Sequence, residues 1–191
     1  MMTKDEALEI FRTSGALLEG HFRLTSGLHS SQYFQCALVL QYPQYAEKLC
    51  REIANHFIGQ NIETVISPAI GGIVAGQEVA RLLGARAIFA ERVDGKMTLR
   101  RGFALKKGER VLAVEDVVTT GGSLKEVINL AQQVGADVVG VGYIVDRSGG
   151  KTSFAVPGFS VFQMDVVAHQ PDDCPLCKKG IPLVKPGSRK D

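Results

Sequence analysis

Glu115 and Asp116 stand side by side between an apolar run and a turn rich in small and hydroxyl residues, RVLAVEDVVTTGGS over 110–123. Carboxylates repel a phosphate, but they accept charge-assisted hydrogen bonds from vicinal hydroxyls such as those of a ribose. The turn has the complementary preference. Backbone N–H groups of Thr119, Thr120, Gly121, Gly122 and Ser123, placed at the start of a helix, favour a phosphate dianion. Diol acceptors joined at fixed distance to a phosphate cradle describe a site for a sugar phosphate. The plainer alternative is a strand-to-helix turn in which Thr120 caps the helix and Ser123 sits in its first turn.

The elements that must position these groups follow from periodicity. Val111, Leu112, Ala113 and Val114 read as a buried parallel strand, and Leu124, Val127, Ile128, Ala131 and Val134 keep helical spacing up to Gly135. Residues 115–123 are therefore expected to form the connecting loop, at the carboxyl end of a strand where open α/β sheets bind ligands. From residue 63 onward the pattern repeats: strand 64–67 and helix 71–83, strand 85–90, strand 111–115 and helix 121–134, strand 138–145. Strands alternating with helices predict an α/β fold, an open and mostly parallel sheet flanked by helices. The first third differs, with a helix over 4–18, irregular β segments over 21–40 turning at Gly27, and a helix over 43–58. Short strands are expected at 154–156 and 160–167.

A chain of 191 residues with 45% hydrophobic content suits one domain. The net charge of +2 is too small to argue for nucleic acid, although Arg92, Lys96, Arg100, Arg101, Lys106, Lys107 and Arg110 make residues 92–110 a local anion trap. No apolar run is long enough to cross a membrane, and the MMTKDEALEIF start is an acidic amphipathic helix, so a cytoplasmic protein is expected. Cys36 and Cys50 lie in apolar contexts. Cys174 and Cys177 have the spacing of half a zinc knuckle, which His169, Asp172 or a second subunit could complete, while free thiols or a redox pair are simpler readings. No G-x-x-x-x-G-K-[ST] occurs, and no G-x-G-x-x-G follows a strand, so P-loop and dinucleotide folds lack support.

The 110–123 segment resembles the signature of the type I phosphoribosyltransferases, which bind phosphoribosyl pyrophosphate (PRPP). With it in place, the whole chain resembles the orotate branch of that family. Phe22, Leu24, Ser26, Gly27 and Ser30, then Tyr33 and Phe34, match its N-terminal hood pattern. The resemblance implies one phosphoribosyltransferase domain over 1–191, with a core at about 63–147 and a hood from about 20–40 plus part of 150–175. It implies a PRPP site of Glu115, Asp116, Val117, Val118, Thr119, Thr120, Gly121, Gly122 and Ser123, with Ala69, Ile70 and Gly71 as a pyrophosphate loop. It further implies orotate contacts from Thr119, Arg147, Tyr33 and Phe34, since a guanidinium grips a carboxylate bidentately. Tyr33 and Phe34 could equally be hood core, and Arg147 could be a surface arginine paired with Asp146.

Residues 92–96 resemble the family's mobile catalytic loop, with Arg92 and Lys96 at its basic positions and Asp116 as the third catalytic residue. The alternative is a solvated basic hairpin. In relatives this loop acts in the neighbouring subunit, which implies a homodimer whose partners are small-molecule substrates, without nucleic acid or membrane. Mg²⁺ is the implied cofactor, carried by PRPP, with no direct protein ligand beyond a water contact from Glu115 or Asp116. The chain departs from the pattern at Thr25 and Gly71, where many relatives carry lysine, and at Val93 and Thr98. His21, His29, Arg100 or Arg101 could stand in for the missing cations, or the departures could mark a shift in substrate or a heavier reliance on Mg²⁺.

Overall fold

In the computed structural model, which describes residues 2–24, 26–164 and 167–185, a capping box starts the first helix, α1 (Lys4–Thr13). Thr3 Oγ1 accepts from the Glu6 N–H at 3.2 Å, and Glu6 accepts from the Thr3 N–H at 2.7 Å. The helix stops short of the 4–18 span that periodicity predicts, because Gly15 adopts φ 70° and turns the chain. Strands β1 (Leu17–Arg23) and β2 (His29–Phe34) then pair antiparallel, turning through Gly27 at φ 83°. Two helices follow, α2 (Cys36–Leu40) and α3 (Pro43–Phe57), the second with proline at its start.

The remaining core elements are β3 (Thr64–Pro68), α4 (Gly72–Leu83), β4 (Arg86–Val93), β5 (Lys96–Leu99), β6 (Arg110–Val118), α5 (Gly122–Gln133), β7 (Asp137–Asp146) and β8 (Gly158–Gln163). They form a six-stranded sheet in the order β5-β4-β3-β6-β7-β8. Every neighbouring pair is parallel except β4 and β5, which make an antiparallel hairpin at one edge. The expected open, mostly parallel sheet is therefore present. No strand forms at 154–156, where the chain bends instead. A two-residue strand β9 (Ala168–His169) pairs with β2 in a separate three-stranded sheet, followed by a 3₁₀ turn (Pro171–Asp173) and α6 (Pro175–Lys178). Thr25, positions 165–166 of the expected last strand and residues 186–191 lie outside the described residues.

Alternation along the strands sends neighbouring side chains to opposite faces. Val65, Leu112 and Ile144 pack under Phe11, Leu49, Ile53 and Phe57, while Ile66, Ala113 and Val141 pack under Leu124, Val127 and Ala131 of α5. Burial on both faces is why these strands read as uninterrupted apolar runs. Each such side chain contributes roughly 1.5–3 kcal/mol by leaving water. Cys36 and Cys50 belong to the first of these cores, in keeping with their apolar sequence context.

The close seating of α3 on β7 depends on two glycines. A Cβ at Gly140 would lie 2.9 Å from the Pro157 carbonyl oxygen and against the Phe57 ring, and one at Gly142 would overlap the Ile53 side chain. Gly142→Ala should therefore destabilise the chain by about 1–3 kcal/mol through overpacking. Ile53→Ala alone should also destabilise it, by leaving a cavity. Combined, the two should cost less than their sum in denaturant melts, because each removes the other's conflict.

Candidate active site

β6 runs farther than its apolar residues alone suggest. Glu115, Val117 and Val118 pair in register with Tyr143, Val145 and Asp146 of β7, so the carboxylate pair rides on the strand end and only residues 119–121 span the gap to α5. The expected loop over 115–123 is thus corrected to a three-residue turn. The longer strand gives the carboxylates a fixed platform.

Glu115 is buried and Asp116 half-buried. Asp116 Oδ1 accepts from the Val117 N–H at 2.9 Å and Glu115 Oε1 from the Asp116 N–H at 3.2 Å. The two carboxyls also lie within hydrogen-bonding reach of each other. Both carboxyls face the start of α4, where a Cβ on Gly71 would come within 2.9 Å of either Asp116 oxygen, and one on Gly72 within 2.8 Å of Glu115 Oε1. The glycine that stands at 71 leaves room for the carboxylate, and the positive end of the α4 dipole lies beside it. Burial, followed by the neighbouring Asp116 charge, drives the Glu115 carboxyl well above its usual range; burial raises that of Asp116 too.

The turn is shaped by Gly121 at φ 73°, where a Cβ would meet Thr152 Cγ2 at 2.6 Å and the Phe154 ring at 3.0 Å. Thr152 Oγ1 donates to the Thr119 carbonyl at 2.9 Å, tying down the other side. Gly121, not Thr120, stands at the helix cap, and no side chain hydrogen-bonds there. The turn amides are thus left to an outside acceptor. Arg92, Glu115 and residues 117–124 line a cleft of about 230 Å³ at this point. Residues 69–71 follow β3, with Ile70 exposed and the Ala69 N–H donating to the Ala90 carbonyl at 2.7 Å.

Residues 92–96 form a β-hairpin, the backbone shape of the alternative reading: Arg92 pairs with Met97 and Val93 with Lys96 across an Asp94-Gly95 turn with positive φ at both residues. Arg92 lines the cleft at the turn of its own chain and pairs with Glu126 of α5 at 2.7 Å. Lys96 is exposed at the hairpin tip and, among the described residues, has no ion-pair partner. Much of the expected anion trap is neutralised. Arg100 and Arg101 face Glu91 at 3.8 and 3.1 Å, and Arg110 pairs with Asp137 at 2.7 Å.

Arg147 follows β7 directly, its N–H donating to the Val118 carbonyl at 2.8 Å. Its guanidinium lies 5.3 Å from the Tyr33 ring centroid, and its buried Nε has no hydrogen-bond partner among the described residues. Burial lowers its pKa, the direction expected of a cation without a counter-ion. The surface pair with Asp146 does not form: the Asp146 carboxylate accepts from the Ser148 N–H and hydroxyl at 2.7 and 2.6 Å. Tyr33 thus brings the hood to the core beside the signature turn. Phe34 points the other way, buried edge-on against Phe11 at 4.7 Å, so the expected orotate contact from Phe34 is corrected to core packing. His21 and His29 do not substitute for the missing lysines either, since their rings face Cys174 and Cys177.

The phosphoribosyl transferase domain family matches residues 40–170. Orotate phosphoribosyltransferases of Pelotomaculum thermopropionicum and Thermoanaerobacter sp. are 58% and 59% identical to the chain over 189 residues, covering 99% of it and 100% of each relative. The chain belongs to the orotate phosphoribosyltransferase family. The solved orotate phosphoribosyltransferase of Aeropyrum pernix superposes with a TM-score of 0.70 at 26% identity, over 82% of this chain and 92% of that one. Adenine phosphoribosyltransferase of Rhodothermus marinus shares the fold at TM-score 0.66 and 23% identity, over 84% of this chain and 99% of that one. The fold alone therefore does not choose the base.

Because folding raises the carboxyl pKa of Glu115, the folded chain holds more protons than the unfolded chain between the ordinary carboxylate range and the raised value. Stability conferred by the protonated group is complete below that window and declines as pH rises through it. Glu115→Gln should accordingly melt higher than the parent at about pH 8, with the gap closing towards about pH 4. Thermal melts across that range check the sign. Turnover of the variant should fall at every pH.

Proposed function

We propose that this chain transfers the 5-phosphoribosyl group of PRPP to orotate, giving orotidine 5′-monophosphate and pyrophosphate in pyrimidine biosynthesis. The observation that carries the reading is Arg147, a half-buried guanidinium stacked near Tyr33 with its Nε unpartnered, one residue beyond the strand that flanks the phosphate turn. A flat anion with a carboxylate at its edge supplies what that pocket lacks. Uracil, with no carboxylate, does not.

In this reading the turn amides of residues 119–123 hold the 5-phosphate, and Glu115 and Asp116 accept from the ribose hydroxyls. Residues 69–71 face the pyrophosphate, with Arg92 and Lys96 offsetting its charge as it leaves. The bond from the anomeric carbon to the pyrophosphate oxygen breaks with its electron pair, a ring nitrogen of orotate forms the new bond, and the proton that this nitrogen carried passes to the departing pyrophosphate. No protein nucleophile is needed, so the residues contribute orientation and charge stabilisation. Orotate lies between Tyr33, Arg147 and Thr119.

Mg²⁺ suits the donor set through water, because Glu115 and Asp116 are adjacent carboxylates beside the cleft; bound with PRPP, the ion would offset the charge of the diphosphate. The core at 63–147 and the hood act as one catalytic unit. A homodimer fits the exposed Lys96 tip, which can reach a neighbouring subunit, whereas Arg92 already serves its own cleft. Among the described residues no helix is long and apolar enough to cross a membrane. We place the protein in the cytoplasm, where its cysteines persist as thiols.

Pyrophosphate release with PRPP and Mg²⁺ should be seen with orotate and not with uracil, adenine or hypoxanthine; equal turnover of uracil would reject the role of Arg147. Arg147→Ala should raise the orotate KM about 10²-fold, the loss of about 3 kcal/mol of charge-assisted hydrogen bonding, with PRPP affinity by calorimetry unchanged. Arg147→Lys should recover little, lacking the planar fork.

A further inference from the structure

Apart from the carboxylate pair and its cleft, four side chains from opposite ends of the sequence converge. His21 lies on β1, His29 on β2, Cys174 after the 3₁₀ turn and Cys177 on α6, and one ligand atom of each falls within 4.8 Å of all the others. His21 Nε2 is 3.1 Å from His29 Nδ1, and lies 3.5 and 3.7 Å from the Cys174 and Cys177 sulfurs; Cys177 Sγ is 3.3 Å from His29 Nδ1. A tetrahedral zinc with Zn–N of about 2.0–2.1 Å and Zn–S of about 2.3 Å requires N···N edges of about 3.3 Å and N···S edges of about 3.6 Å. The four edges His21–His29, His21–Cys174, His21–Cys177 and His29–Cys177 lie close to these values, and all the ligand atoms lie within 4.8 Å of one another. Both cysteines are free, so no disulfide accounts for their approach.

The surroundings fit a closed structural site. Cys174, His21 and His29 are buried, and the exposed Cys177 closes the site on the solvent side. His21 Nδ1 sits 2.7 Å from the Ile181 carbonyl, a bond in which Nδ1 donates and which leaves Nε2 as a lone pair aimed at the cluster. Besides these ligands, the segment is joined to β1 by two backbone hydrogen bonds, from the Val184 N–H to the His21 carbonyl at 2.8 Å and from the Arg23 N–H to the Val184 carbonyl at 2.9 Å, but it buries little apolar surface. Of residues 171–185 only Cys174 is buried, while Ile181, Leu183 and Val184 are exposed. So little apolar burial leaves the ordering of the segment uncompensated, the situation in which small elements use a metal.

We propose that His21, His29, Cys174 and Cys177 bind one structural Zn²⁺ that fastens the C-terminal segment to the hood ribbon. The ligand set differs from the sequence-based options, since His169 pairs with β2 in register with His29 but lies outside the cluster. Through β2 the same ribbon carries Tyr33, so the metal steadies the strand that meets Arg147. It takes no part in the reaction at the anomeric carbon.

The test uses the full chain purified without chelator. Elemental analysis should find about one zinc per chain, falling at least tenfold in the Cys174→Ser/Cys177→Ser and His29→Ala variants. Cobalt substitution should give the visible d–d bands of a tetrahedral site with thiolate-to-metal charge transfer, and a strong chelator should lower the melting temperature and expose the chain after residue 164 to protease. These readouts do not depend on turnover, so they stand or fall apart from the orotate reading. A metal-free protein whose melting temperature is indifferent to added zinc, with both thiols reacting freely in its presence, would overturn the proposal. So would a mass two hydrogens short that locates a Cys174–Cys177 disulfide.

Discussion

Two adjacent carboxylates held out of water at the end of a central strand are the constraint around which the site is arranged. Their burial is unfavourable for the anionic forms, and the chain accepts it because β6 fixes their positions through pairing with β7 and because Gly71 and Gly72 clear the space they occupy. A side chain at either glycine would meet a carboxylate oxygen. The strain is electrostatic, concentrated where ligand hydroxyls can relieve it, and the apolar layers on both sheet faces provide the stability that offsets it.

From that point the remaining parts fall at defined places. The turn after β6 presents backbone amides with no side-chain cap, the α5 dipole reinforces them, and the Arg92 hairpin lies along the same cleft. The next strand delivers Arg147 beside the turn, and the hood contributes one aromatic face to it. In the proposed function, phosphate and base recognition fall on neighbouring strand ends, so that one sheet holds both halves of a bimolecular reaction.

Much of this was legible in the sequence for a physical reason: doubly buried strands and amphipathic helices leave apolar runs and helical spacing, and the acid pair with its glycine-rich turn is a local pattern. What was not legible depends on geometry between distant segments. The extent of β6 past its apolar residues is set by pairing with β7, and the opposite fates of Tyr33 and Phe34 are set by strand alternation against a core assembled from α1. The ion pairs that occupy Arg92, Arg100 and Arg101 involve residues up to 34 positions apart. His21 and Cys174 are separated by 153 residues, so neither spacing nor periodicity could join them. The C-x-x-C pair was the one visible half of that cluster.

The most direct measurement is a crystal structure of the chain with Mg²⁺ and PRPP. It should place the ribose hydroxyls within about 2.6–3.2 Å of the Glu115 and Asp116 carboxylates, with the 5-phosphate on the amides of residues 119–123. A ribose bound away from that pair, with its phosphates instead in the basic cleft of Arg86, Lys106 and Lys107, would contradict the account.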